Sequence, residues 1–405
     1  MAVVSTTATP DEVAPSITPL KRPRSVSVLG ATGSIGCSTA DLLARNPDNF
    51  VVDALTGYRN VTLLAKQAID LKAKFAVIAD ESLYAELKDL LAGTGVEAAA
   101  GELAVIEAAA RPADILVAAI VGTAGLKPTL EGARRGALVA LANKETLVSA
   151  GAIMTAEVHR GGATLIPVDS EHSAIFQVFD FERKEGVEKI TLTASGGPFR
   201  EKTMSQMKLM TPEQAVAHPN WDMGAKISVD SASMMNKGLE MIEAYHLFPV
   251  TESQINIVVH PQSVIHSLVT YQDGSMLAQL GAPDMRIPIS YALGWPRRIK
   301  TPAKKLSLTE LGRMDFIEPD PEKFPALRLT REALRRGGTA PTILNAANEV
   351  AVFAFLAGQI GFLDIAGIVE ETLTQVEATT LTCLRMLHAI DDEARAVAQN
   401  VIGRM

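Results

Sequence analysis

The run Ser25-Val26-Ser27-Val28-Leu29 leads directly into Gly30-Ala31-Thr32-Gly33-Ser34-Ile35-Gly36 and then Cys37-Ser38-Thr39-Ala40-Asp41-Leu42-Leu43, and it constrains this chain more than any other stretch. A short apolar strand entering a glycine turn that opens a helix is the unit from which dinucleotide-binding sheets are built. The glycines are spaced GxxGxxG rather than GxGxxG, yet the demands are unchanged. They are a tight turn, backbone close to a pyrophosphate, and a helix N-terminus whose amides and dipole face the anion. Further apolar runs follow at 50–55, 75–78, 114–120, 137–141 and 163–168. Continuous apolar runs of this length suit a parallel sheet covered on both faces, so a doubly wound α/β domain is expected.

The ends of these strands carry the chemistry. The second run ends in Thr56-Gly57-Tyr58-Arg59-Asn60, with no acid at its tip to hold a ribose 2'-hydroxyl. Arg59 offers a cation for a 2'-phosphate instead, which favours NADPH over NADH. The strand ending at Leu141 opens into Ala142-Asn143-Lys144-Glu145, and the strand ending at Val168 delivers Asp169-Ser170-Glu171 to the same edge. If Asp169 ends a strand, the two carboxylates leave one face and can share a hard divalent cation. A third acid, Glu240, lies downstream in Asn236-Lys237-Gly238-Leu239-Glu240.

A chain of 405 residues exceeds what one core usually organises, so two or three domains are expected. A net charge of -8 offers no basic footprint for nucleic acid or an anionic membrane. Cys37 and Cys383 lie far apart without a metal-binding spacing, which fits a reducing cytoplasm and no disulfide framework. Residues 1–24 are rich in Thr, Pro, Ala and Val, and Lys21, Arg22 and Arg24 follow the apolar residues rather than precede them. That order predicts a disordered tail rather than a secretory signal. No window reaches the roughly 18 uncharged apolar residues of a membrane span.

Residues 186–300 change character, with short strand-like pieces at 190–193 and 255–259 between polar, glycine-bearing loops, as in an α+β domain. Ser195-Gly196-Gly197-Pro198 can bring amides and a hydroxyl to a phosphate. Ser231, Asn236 and Lys237 add a hydroxyl, an amide and a cation ahead of Glu240, a donor set suited to a phosphorylated substrate that also reaches a metal. Between them, the aperiodic stretch 211–224 carries His218, Trp221 and Met223 and reads as a lid. After Trp295-Pro296-Arg297-Arg298 the chain adds no chemistry, and the Ala-rich segment from Thr342 reads as a helical bundle.

With these motifs in order, the chain resembles the 1-deoxy-D-xylulose 5-phosphate reductoisomerase family. The matching segments include Leu29-Gly30-Ala31-Thr32-Gly33-Ser34-Ile35-Gly36, Ala142-Asn143-Lys144-Glu145, Val168-Asp169-Ser170-Glu171-His172, Ala194-Ser195-Gly196-Gly197-Pro198-Phe199 and His218-Pro219-Asn220-Trp221. They continue through Lys226-Ile227-Ser228-Val229-Asp230-Ser231-Ala232, Met235-Asn236-Lys237-Gly238-Leu239-Glu240, His260-Pro261-Gln262-Ser263, Pro283-Asp284-Met285-Arg286 and Asn345-Ala346-Ala347-Asn348-Glu349, together spanning roughly residues 25–395. Where members often have Ala-Gly-Lys-Asn after the second strand, this chain has Gly57-Tyr58-Arg59-Asn60. The glycine is displaced by one place and the cation is kept.

The resemblance implies NADPH- and metal-dependent conversion of 1-deoxy-D-xylulose 5-phosphate to 2-C-methyl-D-erythritol 4-phosphate, a retro-aldol and aldol rearrangement followed by hydride reduction, in the non-mevalonate isoprenoid pathway. Asp169, Glu171 and Glu240 would hold Mg2+ or Mn2+, and Ser195, Ser231, Asn236 and Lys237 would bind the phosphate. Lys144 and Ser170 would contact the hydroxyl-bearing substrate backbone, with His218 and Trp221 closing over it. The cofactor positions would be Thr32, Gly33, Ser34, Ile35, Gly57, Arg59, Asn60, Asn143, Glu145 and Gly224, while His172 and His266 would support the site from behind. A cytoplasmic homodimer is implied, with no nucleic-acid or membrane partner. The expected architecture is an N-terminal Rossmann-like doubly wound parallel sheet, a central α+β catalytic domain and a C-terminal α-helical bundle. Its boundaries are a tail over 1–24, an NADPH domain over 25–170, a catalytic domain over 171–300 with a mobile lid at about 195–225, a linker over 301–335 and helices over 336–405. Two rivals remain open from the residues alone: an NADP-dependent dehydrogenase without rearrangement, and a non-catalytic NADPH-binding regulator.

Overall fold

The computed structural model describes residues 22–217, 221 and 223–405. Most of the expected tail, and His218 with Pro219 and Asn220, lie outside the described residues. Residues 22–146, 154–173 and 284–303 form one compact unit, and 147–153, 174–283 and 304–405 form another.

In chain order the first part of the chain carries β1 (Arg24–Leu29), α1 (Ser34–Ala44), β2 (Phe50–Gly57), α2 (Val61–Asp70), β3 (Phe75–Ile78), α3 (Tyr84–Leu90), β4 (Glu97–Ala100), α4 (Glu102–Ala110), β5 (Ile115–Ala118), α5 (Leu126–Arg134), β6 (Leu138–Leu141), α6 (Lys144–Gly161), β7 (Thr164–Pro167) and α7 (Ser170–Val178). The strands form a parallel sheet in the order β4-β3-β2-β1-β5-β6-β7. Every residue of β3, β5 and β6 is buried, which is why these strands read as unbroken apolar runs. The winding reverses between β1 and β5, and a reversal of strand order opens the crevice in which such sheets bind ligands.

The second part continues with β8 (Val187–Ala194), α8 (Met204–Met207), α9 (Pro212–Val216), α10 (Ala225–Ala232), α11 (Met235–Leu247), β9 (Ile255–Val259), β10 (Ile265–Tyr271), β11 (Met276–Leu280), α12 (Arg286–Gly294), α13 (Leu308–Leu311), α14 (Pro325–Arg336), α15 (Ala340–Leu356), α16 (Asp364–Gln375) and α17 (Leu384–Ile402). Its sheet runs β11-β10-β8-β9, with β10 antiparallel to both neighbours and β8 parallel to β9. The hairpin joining β10 to β11 turns at Asp273-Gly274, where Gly274 has φ +85° and Asp273 accepts from the Ser275 amide. Helices α14 to α17 pack on one another, and α15 is buried along most of its length.

The units differ from the expected boundaries: residues 147–153, expected in the NADPH domain, belong to the second unit, which also holds both the catalytic segment and the C-terminal helices. The segment expected as a linker over 301–335 contains most of α14, whose buried Ala326, Leu329, Thr330, Ala333 and Leu334 recur at helical spacing under a face of arginines. Residues 284–303, expected in the catalytic domain, return to the first unit, because α12 buries Pro288, Ile289, Ala292 and Leu293 and packs on β6 and β7. Among the described residues no helix is long and apolar enough to cross a membrane.

Candidate active site

The glycine turn lies at the reversal between β1 and β5. Gly30 has φ +82°, and a Cβ there would sit 2.6 Å from the Ala119 carbonyl oxygen beyond β5. A Cβ on Gly36 would meet the backbone of Gly30 and Ala31, so the first turn of α1 can lie against the loop only with glycine. Gly33 caps α1 without any side-chain hydrogen bond to its first amides, leaving those amides to an anion. Thr32, Ser34 and Ile35 flank this point, and Thr32 packs 3.1 Å from where a Gly57 Cβ would stand. The donors and the close approaches fit a dinucleotide pyrophosphate.

At the tip of β2, the Arg59 guanidinium donates to Asp80 at 2.8 Å and lies over the exposed Tyr58 ring, 5.4 Å from its centroid. Asp80 follows β3 and is 21 residues away in sequence, so no local spacing announced the pair. Asn60 caps α2 by accepting from the Leu63 amide at 3.2 Å. Asn143 is buried and caps α6 through Thr146, while its amide donates to the carbonyls of Ile120 and Gly122. Both asparagines therefore organise the loops that line the crevice through their own hydrogen bonds. Glu145 stands in the first turn of α6.

The acid pair arises differently from the strand geometry expected for it. β7 ends at Pro167, and Asp169 opens α7, its carbonyl accepting from the Ser173 amide at 2.8 Å. Glu171 is thus in the first helical turn, where its carboxylate accepts from the Ser170 hydroxyl at 2.6 Å. Lys144, first residue of α6, donates from Nζ to Asp169 at 2.9 Å, and the fully buried His172 lies 3.8 Å from the same carboxylate. Burial raises the Asp169 carboxyl, but the Lys144 ammonium and then His172 outweigh it and hold the group well below the usual carboxylate range. Hard-oxygen donors with no thiolate beside them fit Mg2+ or Mn2+.

The candidate phosphate donors Ser195, Ser231, Asn236 and Lys237 all belong to the second unit. Gly197, at φ +67°, lies so close to α10 that a Cβ would sit 2.7 Å from the Ser231 carbonyl, and its amide donates to the Ser195 hydroxyl at 3.1 Å. The Ser195 loop is therefore held against the helix that carries Ser231. Met234, at φ +62°, breaks the chain between α10 and α11, so Asn236 and Lys237 fall in the first turn of α11. Asn236 donates to Glu240 at 2.6 Å, and the buried Lys237 ammonium bonds the other oxygen of the same, equally buried, carboxylate. Behind them Asp230 pairs with Lys226 at 2.7 Å and accepts from Asn348 of α15 at 2.8 Å, which ties α10 to the C-terminal helices. Gly224 caps α10, and the Trp221 ring lies 6.1 Å from that of His266.

A glycine turn at the reversal of a parallel sheet, a cation beyond β2 and lysine-flanked carboxylates at the same sheet edge define an NADP-linked, metal-assisted oxidoreductase. Family models match in three consecutive blocks: 1-deoxy-D-xylulose 5-phosphate reductoisomerase over residues 26–151, its C-terminal domain over 165–248, and the DXP reductoisomerase C-terminal domain over 280–397. The 1-deoxy-D-xylulose 5-phosphate reductoisomerase of Rhodospirillum centenum is 60% identical across 94% of this chain and 94% of its own, and that of Zymomonas mobilis is 58% identical across 94% and 98%. The solved Zymomonas mobilis enzyme in complex with NADPH superposes with a TM-score of 0.92 at 56% identity, covering 95% of this chain and all of that one. A DOX-P reductoisomerase in complex with NADPH, fosmidomycin and magnesium gives 0.88 at 43% identity, covering 94% and 98%. The chain belongs to the 1-deoxy-D-xylulose 5-phosphate reductoisomerase family.

Proposed function

We infer that this protein converts 1-deoxy-D-xylulose 5-phosphate to 2-C-methyl-D-erythritol 4-phosphate, with NADPH as reductant and a divalent cation as Lewis acid, in the non-mevalonate isoprenoid precursor pathway. The observation that carries this reading is 60% identity along 94% of both chains. Bound NADPH supplies the hydride, and bound Mg2+ or Mn2+ polarises adjacent substrate oxygens.

The rest falls to this chain's own side chains. Asp169, Glu171 and Glu240 hold the cation, a role supported for Asp169 by its ionised state and for Glu240 by its burial against the Lys237 ammonium. Ser195, Ser231, Asn236 and Lys237 bind the phosphate, supported by the close seating of the Ser195 loop on α10 and by the two donors in the first turn of α11. Lys144 and Ser170 orient the substrate hydroxyls, and Trp221, with His218 from outside the described residues, covers them and excludes water. Thr32, Gly33, Ser34, Ile35, Gly57, Arg59, Asn60, Asn143, Glu145 and Gly224 form the cofactor site. A homodimer in the cytoplasm completes the reading, and β11 supports a dimer as an edge strand with Met276 and Leu277 about half exposed. Incubation with the substrate, NADPH and Mg2+ or Mn2+, followed by identification of the product, tests it.

A further inference from the structure

Within the first unit, at the end of the sheet away from the glycine turn, a cleft of about 330 Å³ is lined by Arg24, Asn49, Arg297, Arg298, Ile299 and Lys300, among others. Arg24 is the first residue of β1, whereas Gly30 follows its last, so the six-residue strand separates this cleft from the cofactor turn by roughly 20 Å. Four of its lining residues are cations and none is a carboxylate, on a chain whose net charge is -8. Its volume lies at the lower end of the range for small-molecule sites.

The cations are not all explained by the fold. Arg24 is committed in part: its guanidinium donates to the carbonyls of Leu293 at 3.1 Å and Trp295 at 2.8 Å, capping the end of α12. Arg297, Arg298 and Lys300 make no ion pair among the described residues, and the half-buried Asn49 side chain makes no hydrogen bond there. Arg298 is held over the Tyr291 ring, 5.1 Å from its centroid, which fixes it while leaving its donors available. Burial lowers the Arg24 pKa, Asp114 partly offsets this, and Arg297 lowers it further. Arg24 and Arg297 are therefore like charges gathered in one concavity, an arrangement that an anion relieves.

We propose that this cleft is a second anion site, separate from the cofactor turn, which takes a small molecule carrying adjacent phosphates against Arg297, Arg298 and Lys300. Such a ligand would stabilise the α12 return segment on the first sheet, because the cations come from residues 297–300 and the strand end from Arg24.

The chain has two tryptophans, and Trp295 lies two residues before Arg297. In full-length Trp221→Phe protein saturated with NADPH, Trp295 is the sole indole and reports on the cleft. Titration with inorganic pyrophosphate should give a saturable change in its fluorescence, tighter than that with sulfate at equal ionic strength. Adding Arg297→Ala and Arg298→Ala should weaken the midpoint by at least about tenfold, while Arg298→Lys should keep part of it. A response that does not saturate, that sulfate reproduces at the same concentration, or whose midpoint is unchanged in the alanine variant overturns the proposal.

Discussion

Lys144 Nζ donates to Asp169 Oδ2 across 2.9 Å, joining the first residue of α6 to the residue that opens α7. The ammonium sits close enough to overcome the effect of burial and keep the carboxylate ionised through the neutral range. A hard cation requires that ionised form.

Asp169→Asn should therefore abolish turnover while NADPH still binds, since the glycine turn is built by a separate segment. Glu240→Gln should behave likewise. Turnover measured beside nucleotide binding checks this, and activity undiminished in excess chelator would remove the cation from the account.

His246 supplies a pH prediction for stability. Its ring in α11 lies where a Cβ on Gly151 would be, and burial pushes its pKa down to about 4 from the ordinary 6.5. The unfolded chain thus takes up a proton before the folded one does. The neutral ring's contribution is complete above about pH 6.5 and declines as the pH falls toward 4, by roughly 3 kcal/mol at most. Urea unfolding at several pH values should show this slope, and His246→Gln should flatten it. An identical slope in the variant would place the pH dependence elsewhere.

Cofactor choice rests on Arg59. Arg59→Ala should erode the preference for NADPH over NADH by about an order of magnitude, through loss of a charge-assisted contact to the 2'-phosphate. Asp80 holds the guanidinium, so Asp80→Ala should shift the same ratio less and leave the fold intact. Comparing kcat/KM for the two nucleotides decides it, and a wild type that uses both equally would contradict the assignment.

The parallel sheet was legible because strands buried on both faces leave continuous apolar runs, as at Phe75–Ile78 and Leu138–Leu141. β4 was not, since Glu97-Ala98-Ala99-Ala100 favours helix by composition and becomes a strand only by pairing with β3. β11, a largely exposed edge strand, lacks a buried face to pattern it, although Asp273-Gly274 marked its hairpin. α14 is hard to see in the sequence because arginines obscure its apolar stripe. At the site, Lys144 and Asp169 could be found as polar residues just past strand ends. The partners Asp80 and Asn348 could not, because their contacts join segments 21 and 118 residues apart.

The lid proposal concerns the stretch from Ser195 to Ala225. Its described part holds two short helices, α8 and α9, each closed by a Thr/Gln capping box at Thr203–Gln206 and Thr211–Gln214. These local caps hold each short piece as a helix of its own. Hydrogen exchange over residues 205–217 should slow markedly when a phosphonate substrate mimic and metal are added. A segment already protected without them is ordinary core.

Product identification tests the central claim most directly. The full-length protein, incubated with 1-deoxy-D-xylulose 5-phosphate, NADPH and Mg2+ or Mn2+, should consume NADPH and yield 2-C-methyl-D-erythritol 4-phosphate with its rearranged, branched carbon skeleton. A product reduced at the carbonyl with the linear skeleton retained, or no NADPH consumption with metal present, would contradict the account.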